Sequence, residues 1–251
     1  MIYRLAYSGL FWRTPDLAKE LDALRIAGWD GWEARQPLDW LGTPVGVRRL
    51  CEEFGVDVAA VCGPNATLSV EDPSHQISKR RIEFAADLGV KTFMTKGPGR
   101  GDRECTDEEL DQMATVYEDL AVYGEKLGVC VTFHPHINHL VNSEEEWKRF
   151  MRRLDACKLC MDMSHAVHWG YDPVQAVRDF SARIAYVHLH DFKDGGTVEL
   201  GEGPMCDYAA FMAALEAVGY AGWITVCPGE AERSEEEKMR INREYMRGIG
   251  Y

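Results

Sequence analysis

The chain has 251 residues, 46% of them hydrophobic and 27% charged, enough apolar side chain to bury a large core in water. With 28 basic against 41 acidic residues its formal charge is −13, which repels a phosphate backbone and argues against nucleic acid as a partner. No run of about 18 apolar residues occurs, so no membrane span is expected, and eight unevenly spaced cysteines without an export signal read as reduced thiols of a cytoplasmic protein.

Residues 1–7 read as a strand and lack the apolar stretch of a signal peptide. From there short apolar runs alternate with longer amphipathic ones. Strands are expected at 4–8, 31–35, 56–62, 92–96, 129–134, 159–162, 184–188 and 223–227. Leu17, Leu21 and Leu24 recur at helical spacing over 17–27, and Leu110, Met113, Val116, Tyr117, Leu120 and Val122 do so over 107–127. Thr106 with Glu109 forms a capping box for the second of these, and Ser143 followed by Glu144, Glu145 and Glu146 opens the next helix. Gly28, Gly55, Gly89, Gly128 and Gly219 each separate a helical pattern from the following strand, where a left-handed residue closes a helix without steric cost. Such alternation demands parallel strands joined by right-handed crossovers, and eight units in this length fit a single (β/α)8 TIM barrel domain over 1–251. A doubly wound open sheet is the rival. The first turn, Ser8-Gly9-Leu10-Phe11-Trp12, lacks a dinucleotide fingerprint, so the barrel is preferred and no nucleotide cofactor is expected.

In such a barrel the active site gathers at the C-terminal strand ends. The second strand ends in Glu33 and Arg35, the third in Cys62, the fourth in Lys96 and the fifth in His134-Pro135-His136, followed by Asn138 and His139. The sixth ends in Asp162-Met163-Ser164-His165, the seventh in His188-Leu189-His190-Asp191 and the eighth in Cys227-Pro228-Gly229-Glu230. Seven of the eight histidines fall between His134 and His190. Imidazoles and a carboxylate on separate rigid strands suit a divalent metal with open positions for substrate. His134, Asp162 and His188 are the ligand candidates, although His134 and His188 also fit as core imidazoles and Asp162 as a cap. Cys227 is either a fourth, thiolate ligand or a neutral wall, with water or Glu230 then filling its place. His136, His165, His190 and Lys96 are candidates for acid–base work or for orienting substrate, and Glu33 for a substrate contact. Trp12, with Trp40, either walls a sugar face or packs under loops.

Other signals are weaker. His139 and His168 read as solvated or structural, and His75 carries no assigned role. Cys157 and Cys160 match C-x-x-C without a second pair, which reads as incidental. Gly201-Glu202-Gly203 stands where barrels often hold phosphate on backbone amides. Gly97-Pro98-Gly99-Arg100-Gly101 reads either as a turn over the site or as an ordinary loop.

These strand ends resemble the xylose isomerase-like barrel superfamily of sugar isomerases, epimerases and dehydratases over essentially the whole chain. The matching pieces are Gly28-Trp29-Asp30-Gly31-Trp32-Glu33, Met161-Asp162-Met163-Ser164-His165, Tyr186-Val187-His188-Leu189-His190-Asp191 and Gly219-Tyr220-Ala221-Gly222-Trp223-Ile224-Thr225-Val226. Phe133-His134-Pro135-His136 is most similar to the inosose dehydratase branch. The resemblance implies a metal (manganese, zinc, cobalt or magnesium) held by Glu, Asp, His and Glu from strands five to eight. Asp162 and His188 match; His134 and Cys227 stand at the two glutamate positions, and His190 where a lysine is usual. With both glutamates replaced, two-glutamate epimerisation is disfavoured. The resemblance then implies a lyase or isomerase that abstracts a proton beside the carbonyl of a keto-sugar, keto-inositol or related polyol, with elimination favoured. A ketose epimerase or C-glycoside-cleaving subunit is the alternative, and a metal-free sugar-binding or non-catalytic subunit the second. A homo-oligomer is compatible with all three.

Overall fold

The alternation closes into a ring. The computed structural model describes every residue except Met1, Ile2, Thr14, Asp102, Pro204 and Met205. The strands are β1 (Arg4–Ser8), β2 (Gly31–Ala34), β3 (Asp57–Cys62), β4 (Thr92–Lys96), β5 (Cys130–His134), β6 (Lys158–Asp162), β7 (Ile184–Leu189), β8 (Asp191–Lys193), β9 (Gly196–Val198) and β10 (Trp223–Val226). All but β8 and β9 form a closed parallel barrel in the order β1-β10-β7-β6-β5-β4-β3-β2. Arg4 pairs with Trp223 and Tyr7 with Val226, and this closure rules out the open sheet.

The helices are α1 (Leu17–Ala27), α2 (Leu38–Leu41), α3 (Pro44–Phe54), α4 (Pro73–Leu88), α5 (Asp107–Lys126), α6 (Glu144–Met151), α7 (Met163–His168), α8 (Pro173–Phe180), α9 (Tyr208–Ala217) and α10 (Glu235–Gly248). Among the described residues no helix is long and apolar enough to cross a membrane. The expected start and stop signals are in place. Thr106 and Glu109 form the capping box of α5, and Ser143 accepts from Glu146 N at the start of α6. The five helix-ending glycines all adopt positive φ, between 67° and 86°.

Two cores result. The larger lies between strands and helices and includes Trp32, Tyr117, Phe133, Trp147 and Phe150; each such side chain contributes on the order of 1.5–3 kcal/mol by leaving water. The smaller fills the barrel with Ala6, Ala59, Ala60, Cys62, Met94, Cys160 and Tyr186 above Trp223. Small residues here let the few large ones fit the axis, and Tyr186 Oη meets Thr225 Oγ1 at 2.5 Å. Gly31 is required beside them: a Cβ there would lie 2.7 Å from the Trp223 ring and 2.8 Å from Asp57 O.

Two strands stop one residue short of expectation, leaving Arg35 and Cys227 just beyond β2 and β10. The β8–β9 hairpin is an addition to the expected pattern. Its three-residue strands are too short to show a period, and Asp194 and Gly195 turn it with φ of 53° and 86°. All eight cysteines are free thiols, in line with the incidental reading of Cys157 and Cys160.

Candidate active site

Register brings the polar strand ends to one level. Lys96 pairs with His134, Asp162 with His188, His188 with Thr225, and Ser8 with Glu33. Cys227 joins from the residue after β10, its amide donating to Leu189 O at 2.9 Å, and His165 from α7, which begins directly after Asp162.

Asp162 divides its carboxylate between two tasks. Oδ1 caps α7, accepting from Ser164 N at 3.0 Å and Ser164 Oγ at 2.5 Å. Oδ2 faces three imidazoles, His134 Nε2 at 3.2 Å, His190 Nε2 at 3.3 Å and His165 Nε2 at 3.5 Å. Burial alone would raise the Asp162 carboxyl, but His165, His190 and His134 hold it well below the usual carboxylate range. Burial pushes His134 and His136 down and His165 to about 3, so these imidazoles stay neutral, the form that binds metal. His134 Nδ1 and both ring nitrogens of His165 and of His190 are buried without a hydrogen-bond partner. One stranded polar atom costs ~1–3 kcal/mol. Each neutral imidazole keeps one lone pair beside its N–H, so His134 and His165 together with the Asp162 carboxylate form a donor set that fits a bound cation.

His188 is held from the other side. Its Nε2 lies 2.6 Å from Glu33 Oε2, while Glu33 Oε1 accepts from Arg35 Nε at 2.6 Å and Ser8 Oγ at 2.9 Å. With Nε2 committed, Nδ1 is the nitrogen left for a further partner, and Cys227 Sγ lies 3.7 Å from it. Burial would raise the Cys227 thiol, but His188 and His190 bring it down to about 6. Burial would likewise lower His188, but Cys227 and Glu33 raise it to about 10.

Among the described residues, metal-binding atoms within 4.8 Å of one another fall into three groups: His134–Asp162–His165, His188–His190–Cys227 and His134–Cys160–His188. The expected trio of His134, Asp162 and His188 is therefore divided between groups. His165 stands beside Asp162 instead, and His190 beside His188.

Other expectations change. Glu33, expected at substrate, is fully buried with both oxygens spent on protein groups, so it positions His188. Trp12 is buried and stacked on Trp32 at 5.1 Å, the packing alternative rather than a sugar wall. Glu230 is exposed and its N–H donates to Thr197 O, away from the histidines. The amides of Gly201 and Gly203, which a phosphate would need, donate to Asp191 Oδ2 at 3.0 and 3.1 Å. The 97–101 turn is tied down by the Gly99–His139 bridge and by Arg100, 2.5 Å from Glu146. His75 pairs with Asp119 at 2.7 Å, His168 is exposed, and His139 contacts Asn65 at 3.3 Å. His136 stands at the mouth, its ring 4.3 Å from that of His165. Lys96 sits half-buried among these rings, lowered first by burial and then by Arg35. Arg35 and Ser8 carried no role in the sequence reading. Glu33 and Arg35, two apart at the end of the second expected strand and so on one face, were the available signal.

Residues 21–249 match the family profile described as xylose isomerase-like TIM barrel. The chain belongs to that family. Among curated xylose isomerase-like relatives, the inosose dehydratase of Lacticaseibacillus casei is 29% identical over 262 aligned positions, covering 87% of this chain and 85% of that protein. The inosose dehydratase of Geobacillus kaustophilus is 31% identical over 149 positions, covering 51% of this chain and 47% of that protein. Among solved structures of the same fold, D-allulose 3-epimerase from Methylomonas sp. in complex with D-allulose has a TM-score of 0.82 at 17% identity, covering 99% of this chain and 97% of the other. The reading of the chain as an enzyme agrees with these relatives.

Proposed function

We propose that the chain is a metal-dependent lyase acting on a keto-inositol, keto-sugar or related polyol by proton abstraction next to the carbonyl, with loss of water. The carrying observation is the set of buried, unpartnered imidazole nitrogens around the ionised Asp162. The ion would sit on His134, Asp162 and His165, whose donor atoms lie within 4.8 Å of one another; His188, grouped with His190 and Cys227, would join through Nδ1 only as a neutral imidazole. A bound divalent cation would polarise the carbonyl and its neighbouring hydroxyl and acidify the C–H between them.

The chain supplies the proton transfers. His136 Nδ1 lies 2.8 Å from Ile137 O, an acceptor only, so Nδ1 carries the hydrogen and Nε2 keeps its lone pair. That nitrogen takes the proton from carbon. His190, 3.3 Å from the Asp162 carboxylate, holds the proton that goes to the departing hydroxyl, so the net change is loss of one water. Glu33 fixes His188 from behind, as carboxylates do for metal-binding imidazoles. Replacement of both expected glutamates by His134 and Cys227 supports elimination over epimerisation, as do the dehydratase names of the two curated relatives.

Incubation with 2-keto-inositol and a panel of ketohexoses in deuterated water, followed by NMR, tests the reaction. A dehydrated product is expected. Solvent deuterium in a ketose of inverted configuration, with no loss of water, would assign epimerisation instead. Elemental analysis of protein purified without chelator tests the metal; substoichiometric metal, unaltered in Asp162→Ala, would overturn it.

A further inference from the structure

Arg35 and Lys96 stand just past β2 and at the end of β4, on either side of the strand that ends in Cys62. Arg35 spends Nε on Glu33 and Ser8 and leaves its two terminal nitrogens without a hydrogen bond to any described residue, on a side chain 16% exposed. Lys96 makes no hydrogen bond or ion pair with any described residue. Its ammonium is close enough to His136, His139 and His165 to bear on all three, and Arg35 is the cation that bears most on it. Beneath them Arg81 is spent on the carbonyls of Cys62, Gln36 and Ala34.

The local charges do not balance. Glu33, Cys227 and Asp162 each already face a guanidinium or imidazoles, whereas Lys96 and the two terminal nitrogens of Arg35 make no hydrogen bond or ion pair with any described residue. A chain of net charge −13 thus keeps at its strand ends one cation, Lys96, with no ion-pair partner among the described residues and a second, Arg35, paired only through Nε. Like charges held together in a half-dry cleft are stabilised by an anion between them.

We propose that Arg35 and Lys96 form a carboxylate-binding subsite, so that the substrate is a keto-polyol bearing a carboxylate, a keto sugar acid. This rests on the keto-polyol reading above and narrows its substrate class. Carboxylate is favoured over phosphate on two grounds. The two terminal nitrogens of a guanidinium present parallel N–H donors that match two carboxylate oxygens. Barrels of this kind seat phosphate on loop amides after the seventh and eighth strands, and here those of Gly201 and Gly203 are taken by Asp191.

Calorimetric titration of the metal-loaded protein with 5-keto-D-gluconate, D-fructose and D-fructose 6-phosphate tests the subsite. The keto acid is expected to bind about ten- to a hundredfold more tightly than the neutral ketose, the range of a charge-assisted pair, with the gap shrinking as salt rises. Lys96→Gln, which breaks no contact, should fold normally and lose most of that gap; Arg35→Lys should lose part of it. Equal binding of keto acid and ketose, or a preference untouched by Lys96→Gln, would overturn the subsite. Tighter binding of the phosphate ester would overturn the carboxylate assignment. Proton exchange in deuterated water is scored separately. Turnover of 2-keto-inositol together with equal binding of keto acid and neutral ketose overturns the subsite and spares the lyase reading. Keto-acid binding without exchange or elimination on any substrate overturns the lyase reading and spares the subsite.

Discussion

Replacing Glu33 with glutamine removes one charge and almost no volume from the most enclosed ion pair in the barrel. Glu33 accepts from Arg35 and Ser8 through one oxygen and meets His188 Nε2 at 2.6 Å through the other. A glutamine offers one acceptor and one donor, so its amide must point N–H groups either at Arg35 and Ser8 or at His188. Breaking a buried pair costs ~3–5 kcal/mol, and the near-isosteric swap keeps part of the contact, leaving about 3 kcal/mol. For a chain of this size each kcal/mol moves the midpoint by roughly 2–4 °C, so Glu33→Gln should melt about 6–12 °C lower by calorimetry. The same change frees the His188 ring to turn, and loss of such a backing carboxylate typically weakens metal binding about 10- to 100-fold, measurable by competition with a fluorescent chelator. A melting point within about 1 °C of the parent together with unchanged metal affinity would refute Glu33 as the anchor of His188.

Three further outcomes are expected. In cobalt-substituted protein a sulfur-to-metal charge-transfer band should appear in the near ultraviolet and vanish in Cys227→Ser; its absence from the parent would make Cys227 a neutral wall. Glu20 is buried under α10 and its carboxyl is raised by that burial to about 7 from an ordinary 4.5, with Glu235 and Glu236 adding to the effect. Because the folded form holds its proton longer than the unfolded one, stability falls as pH rises from about 4.5 to 7 and stays low above. Glu20→Gln should therefore match the parent near pH 4 and, after allowance for solvent screening, exceed it by about 1–2 kcal/mol at pH 8 in denaturant titrations; a gain at pH 4 as large as at pH 8 would be inconsistent with this. Gly31→Ala should destabilise by about 2–3 kcal/mol, because its methyl group meets the Trp223 ring on which Arg4 stacks at 3.9 Å; an unaltered melt would show that the ring moves aside freely.

The barrel was legible because its signals are local. Gly28, Gly55, Gly89, Gly128 and Gly219 mark helix ends whatever the rest of the chain does, and the apolar runs between them have the length and composition of buried strands. The ring of functional residues followed from one topological rule, that such barrels work at their C-terminal strand ends. Pairing within the ring was not legible. His188 and Glu33 are 155 positions apart, and their meeting depends on how far each strand is staggered when the sheet closes. Asp162 gave two competing signals, cap and ligand candidate, and only the placement of its two oxygens shows that they do not exclude each other. Trp12 near a strand end looked available to a sugar, but the inward stack on Trp32 is a tertiary contact with no sequence period.

The divided carboxylate of Asp162 makes the mouth of the barrel and the first turn of α7 a single mechanical unit. Oδ1 holds the Ser164 amide while Oδ2 looks at three imidazoles, one of them, His165, carried by the same helix. Any load on Oδ2 is thus felt at the peptide that starts α7, and any loosening of that turn swings His165 out of the cluster. The Ser164 amide should accordingly act as a reporter buried in the backbone. Its hydrogen exchange would slow when the cluster is filled and quicken when it is emptied, which gives an occupancy readout independent of turnover, colour or added label.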